Sequence, residues 1–151
     1  MNVTVEDIPS SKIVYMRQKG PYGMANSQLM EKFKGWVQSN SFTDSMSVIL
    51  GIAQDNPALV EPENCRYDAC LVVPEDYSVN SDEVSAGSIR GGSYAVFKIP
   101  HTAEAVQKAW VDIFTELANQ GLTLDETRPI LERYTVELVN RHYCEICVPV
   151  Q

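Results

Sequence analysis

Long apolar runs, clustered basic residues and histidines are what this chain of 151 residues has least of. No apolar stretch approaches the roughly 20 residues needed to cross a bilayer. The opening M-N-V-T-V-E-D has neither a basic region nor an apolar core, so no secretory leader or membrane association is expected and the cytoplasm is the expected location. Asp and Glu outnumber Lys and Arg by 20 to 12, and the net charge of −8 is spread evenly along the chain. Such a surface repels phosphate backbones, which argues against direct nucleic-acid binding. The chain also has no glycine-rich phosphate loop, no H-E-x-x-H and no recognisable setting for a Ser, Cys or Lys nucleophile. Its two histidines, His101 and His142, stand apart from any Cys or Asp at ligand spacing, so neither a metal nor a cofactor is expected.

Four cysteines are present, and Cys144-x-x-Cys147 with Cys65 and Cys70 superficially suggests zinc. Ligand pairs of this kind sit on tight turns, whereas H-Y-C-E-I-C-V-P-V reads as a strand on which Cys144 and Cys147 face opposite ways. Buried free thiols are the expectation.

At this length, with 44% hydrophobic and 21% charged residues, the chain is read as one globular domain over 1–151 with a core of its own. Strands are expected at residues 3–8 and 12–18, joined as a hairpin through Pro9-Ser10-Ser11. A helix is expected at 27–38, where Leu29, Met30, Phe33, Trp36 and Val37 fall on one face, followed by strands at 46–53 and 66–73. The pattern then restarts. Strands at 84–89 and 93–99 flank the turn Arg90-Gly91-Gly92, a helix at 103–119 follows Thr102 as N-cap and stops at Gly121, and strands at 130–138 and 143–150 complete the second half. A shift of 81 residues lays Val3 on Val84, Ile8 on Ile89 and Ile13 on Tyr94, so residues 1–80 and 81–151 read as a structural duplication. Two strand-strand-helix-strand-strand units make an α+β fold with two helices, a mainly antiparallel sheet and a ligand cleft between the halves.

Within the strand at 130–138, alternation puts Ile130, Glu132, Tyr134, Val136 and Leu138 on one face. That face is apolar except for Glu132. An unpaired carboxylate in apolar surroundings is costly, so Glu132 pairs with a nearby Arg or Lys, faces water, or forms the floor of a cavity as counter-ion for a ligand. Trp36 and Trp110 lie on the apolar faces of the two helices. Core packing accounts for them, and so does lining the cleft with Tyr67 and Tyr134, where aromatic faces hold a cation.

Taken together, G-P-Y-G before the first helix, K-F-K-G-W-V within it, C-R-Y-D-A-C-L-V-V-P, G-G-S-Y-A-V-F, A-W-V-D-I-F, P-I-L-E-R-Y and the terminal E-I-C-V-P-V resemble the GyrI-like small-molecule-binding domains. These also occur as effector-binding parts of AraC-type and MerR-type multidrug regulators. The resemblance implies a duplicated fold whose cleft takes lipophilic cations, neutralised by a glutamate on the penultimate strand. Glu132 matches that glutamate by its place in P-I-L-E-R-Y. Trp110 and Tyr67 match aromatic cleft positions, and Met30 and His142 stand near others. With no DNA-binding segment ahead of the domain, a stand-alone member resembling the gyrase inhibitors is expected. Three functions follow: a binder of lipophilic, cationic small molecules; a modulator of a protein partner such as gyrase or a transcription regulator; or a hydrolase of reactive electrophiles acting through Glu132.

Overall fold

The computed structural model describes residues 2–40 and 47–151. Two strands lead into each of two long helices and two follow it. The first half comprises β1 (Asn2–Ile8), β2 (Ser11–Lys19), α1 (Met24–Ser39), β3 (Val48–Ala53) and β4 (Arg66–Val73). The second comprises β5 (Ser85–Ile89), β6 (Gly92–Pro100), α2 (Ala103–Asn119), β7 (Leu131–Thr135) and β8 (Tyr143–Pro149), with a one-turn helix α3 (Val136–Asn140) between its last two strands. The expected start of the third strand at Met46 lies outside the described residues.

All eight strands form one antiparallel sheet in the order β1-β6-β8-β7-β3-β4-β2-β5. Exchanging each strand for its counterpart in the other half reads this order backwards, so an approximate two-fold axis runs between β7 and β3. Register confirms the repeat: Ile8 lies opposite Gly92, and 81 residues on from Ile8, Ile89 lies opposite Ser11.

This pairing corrects the two expected hairpins. Strand β1 pairs with β6 and β5 pairs with β2, so each half lends its first strand to the other. Pro9 and Ser10 do join β1 to β2, but across the molecule. Three residue steps reach about 11 Å at most, whereas six strand spacings in a flat sheet would come to about 29 Å. The sheet therefore curls until its two ends approach, and Ser10 Oγ accepts a hydrogen bond from the Gly91 amide at the meeting point (2.8 Å).

Curling gives the sheet an inside. Ile13, Leu50, Ile52, Cys70, Val96 and Leu131 are buried there in a cluster to which no helical residue belongs. The outer face carries the helices. Helix α1 buries Met30, Phe33, Trp36 and Val37 against β2 and β4, and α2 buries Ala109, Ile113 and Leu117 against β6 and β8. Each fully buried side chain of this kind contributes about 1.5–3 kcal/mol. Thr102 caps α2 through its hydroxyl, which accepts from the Ala105 amide (3.1 Å), and Gly121 beyond it takes φ 70°. Cys144 packs under α2 while Cys147 lies in the inner cluster, so the C-x-x-C pair straddles the sheet.

The strand expected at 130–138 is shorter. It ends at Thr135, whose hydroxyl accepts from the Leu138 amide (3.3 Å) as the N-cap of α3, and His142 with φ 63° closes that turn. Val136 and Leu138 favour strands, but β-propensity yields to context. Past Arg133 no partner remains on the β8 side, so the chain saves hydrogen bonds by coiling.

Candidate functional site

Alternation along β7 sends Leu131 to the inner cluster and Glu132 and Tyr134 to the helix face, where a cavity of about 280 Å³ lies between the two halves. Helix α1 contributes Asn26, Ser27, Met30, Glu31 and Lys34, a stripe at the i, i+4, i+8 spacing of one helix face. Tyr67 of β4 and His101, just ahead of α2, complete the wall. A second cavity of about 310 Å³ opens on the other side of Tyr134 and Lys34, lined by Val37, Ile49, Val136 and Val139.

The cavity's floor is built around a missing side chain. Gly51 lies directly opposite Glu132 in the β3–β7 register. A Cβ there would stand 2.8 Å from Glu132 Oε1 and closer still to the Tyr67 hydroxyl. Tyr67 stands two strands away from Glu132, and only the bare backbone of Gly51 lets it reach across β3. Its hydroxyl donates to Glu132 Oε1 (3.1 Å). Tyr134, two residues along the same face, hydrogen-bonds to the same carboxylate.

Among the described residues no Lys or Arg forms an ion pair with Glu132. The adjacent Arg133 points the other way and is engaged by Glu145 (2.9 Å) and Glu6 (2.8 Å). This disposes of an internal salt bridge for Glu132. Burial raises the proton affinity of its carboxyl above the ordinary value of 4.5, and the two tyrosine hydroxyls only partly offset that. Burial, and the negative charge of Glu132, push the Tyr67 and Tyr134 hydroxyls well above the usual phenol range, which keeps them protonated donors. The floor is thus an acceptor of positive charge held in shape by neutral donors. Cys144 of β8 lies near enough for Glu132 to help burial push its thiol up to about 11.

Of the residues expected to form the site, Glu132, Tyr67, Tyr134 and Met30 come together in this cavity. Trp36 is buried beneath α1, with its ring stacked on Phe33 at 6.0 Å, and Trp110 packs against the core under α2. Neither lines the cavity, because each helix turns its tryptophan toward its own half's core. His142 is outside as well, its carbonyl accepting from the His101 amide (2.8 Å). His101, set aside at the sequence level, takes a place on the wall with its ring 5.2 Å from that of Tyr134. Ser27, Glu31 and Lys34 were legible only as helix positions flanking Met30, and Asn26 lay ahead of the helix expected at 27–38, since α1 begins at Met24. Among the described residues no three His, Cys, Asp or Glu side chains gather as metal ligands would.

Two interlocked halves with a cavity lined from both describe a small-molecule-binding domain. The chain belongs to the GyrI-like family, whose model, described as a GyrI-like small molecule binding domain, matches residues 1–151. It is 44% identical to the SPbeta prophage-derived protein YosT of Bacillus subtilis, named for transcriptional regulation, over the whole of both chains. It is 30% identical to a DNA gyrase inhibitor of Cronobacter turicensis, covering 100% of this chain and 98% of that one. The structure of SAV2435 bound to tetraphenylphosphonium superimposes with a TM-score of 0.63 at 16% identity, covering 100% of this chain and 94% of that one, a likeness of fold.

Proposed function

We propose that the protein binds small organic cations in the cavity between its halves, with Glu132 as counter-ion and Tyr67 and Tyr134 as the donors that hold the carboxylate in place. The observation carrying this reading is a carboxylate at a cavity floor that receives tyrosine hydroxyls and has no ion-pair partner among the described residues. A ligand cation supplies the missing charge in surroundings of low polarity, where a charge-assisted contact is strongest. Tetraphenylphosphonium in a neighbour of the same fold lends this support. Four buried free thiols fit a reducing compartment such as the cytoplasm.

Calorimetric titration with benzyltrimethylammonium and its uncharged isostere neopentylbenzene tests the reading. Glu132→Gln is expected to weaken the cation by about 1–3 kcal/mol and leave the isostere unchanged. Equal affinities for the cation in wild type and variant would sink it, and turnover of a reactive electrophile that vanishes with Glu132→Gln would put a hydrolase in its place.

A second reading, modulation of a protein such as gyrase, is supported by full-length similarity to a gyrase inhibitor. A supercoiling assay checks it: inhibition by both wild type and Glu132→Gln would place that activity on the surface rather than in the cavity.

A further inference from the structure

The cavity wall carries charge of both signs. Glu132 lies at the floor, whereas Lys34 stands on α1 two turns on from Asn26, half-buried, with no hydrogen bond or ion pair among the described residues. Glu31, three residues earlier on the same helix, is exposed and does not bridge to it. The positive charge of Lys34 is felt at His101, where it joins burial in lowering that ring's proton affinity. Lys34 and His101 share the lining of one cavity with Glu132. His101 is held neutral there, able both to donate and to accept a hydrogen bond.

A purely cationic ligand gains at Glu132 and is opposed by Lys34 in the same lining. Of the two tryptophans that would have made the cavity an aromatic cage, Trp36 is buried in the core of the first half and Trp110 packs partly buried against that of the second, so the polarity of the wall is not offset by further aromatic rings. A half-buried ammonium without a counter-charge is the mirror image of the floor carboxylate: each lacks a partner of opposite sign.

We propose that the natural ligand is amphoteric, with a cationic centre against Glu132 and a carboxylate or similar anionic group that Lys34 pairs with and His101 hydrogen-bonds to across the same cavity. This rests on the reading of Glu132 given above and adds Lys34 as the residue that selects among cations.

The test compares benzyltrimethylammonium with its 4-carboxylate by calorimetry on the full chain, in wild type, Lys34→Met and Glu132→Gln. The wild type is expected to prefer the carboxylated compound by roughly ten-fold or more, the scale of one charge-assisted contact. Lys34→Met should erase that preference, and Glu132→Gln should weaken both compounds. A wild type that binds the plain cation equally or better, or a preference that survives Lys34→Met, overturns the proposal. If Glu132→Gln still weakens both compounds in that case, the cation-binding reading stands without it. Should neither compound bind, tetraphenylphosphonium and (4-carboxyphenyl)triphenylphosphonium replace them, and failure of all four overturns both readings.

Discussion

Gly51 and Glu132 face each other across β3 and β7, and they occupy equivalent positions in the two halves, since a shift of 81 residues carries one onto the other. The approximate two-fold axis passes between them. A Cβ at Gly51 would run into the Tyr67 hydroxyl and the Glu132 carboxylate, so the contact between those two groups requires glycine at this position. Gly51→Ala adds a Cβ that meets Glu132 Oε1 at 2.8 Å and blocks the path of Tyr67. We expect a loss of about 1–3 kcal/mol of stability from overpacking, together with loss of benzyltrimethylammonium binding. Denaturant unfolding and calorimetry check the two effects.

The charge state of Glu132 sets a pH dependence opposite in sign to that of the protein's paired carboxylates. Ion pairs or hydrogen bonds hold Glu6, Asp55 and Asp125 below their ordinary range, so the stability they contribute is lost as pH falls. Burial holds Glu132 above 4.5, so its folded state is favoured when protonated, and that advantage is lost as pH rises from about 4.5 through the folded value. Relative to wild type, Glu132→Gln should have almost no effect on melting temperature near pH 4 and become increasingly stabilising toward pH 7. The difference between the two melting curves, measured across this range, cancels the other carboxylates. A flat difference would show that the carboxylate is solvated.

Much of this was readable from residue order. The 3.6-residue spacing of Phe33, Trp36 and Val37, and Thr102 before α2, placed the helices, and the exception that Glu132 makes in an apolar alternation pointed to a residue that lines the candidate cavity. What escaped was long-range. Nothing local in Pro9-Ser10-Ser11 tells a hairpin from a crossing between sheet ends, because strand pairing is decided by partners far along the chain. The tryptophans were misleading for a related reason: a helix in a duplicated fold has both a core face and a cleft-facing flank, and periodicity does not say which flank meets the other half. Gly51 carried no signal until the register put it opposite Glu132.

The cysteines yield a third expectation. All four are buried, and burial pushes the Cys144 and Cys147 thiols up to about 11 and about 12. Only the thiolate attacks, so both access and reactivity are suppressed. The native protein should react with Ellman's reagent at a small fraction of the rate of a free thiol at pH 8, and four thiols should titrate promptly in guanidinium chloride. Rapid reaction of one native thiol would mean that the packing around that cysteine opens in solution.

Tyr67 tests whether the floor is a shaped acceptor or merely a buried acid. Its hydroxyl donates to Glu132 Oε1 at 3.1 Å, and because burial and the Glu132 charge hold it far above the usual phenol range, it acts as a donor throughout the physiological range. Tyr67→Phe keeps the ring over Gly51 and removes only that donor. The carboxylate then loses one of the two hydrogen bonds that favour its ionised form, so its proton affinity must rise further. Cation binding should weaken by about 0.5–1.5 kcal/mol near neutral pH, the net scale of one hydrogen bond. The deficit should shrink as pH rises and the carboxylate ionises, whereas the deficit of Glu132→Gln should grow over the same range because the wild type gains charge that the variant cannot. Titrating benzyltrimethylammonium into both variants from pH 5 to pH 9 separates these opposite slopes. Parallel slopes would mean that Tyr67 contributes shape alone and that the ionised carboxylate is stabilised by Tyr134 and water.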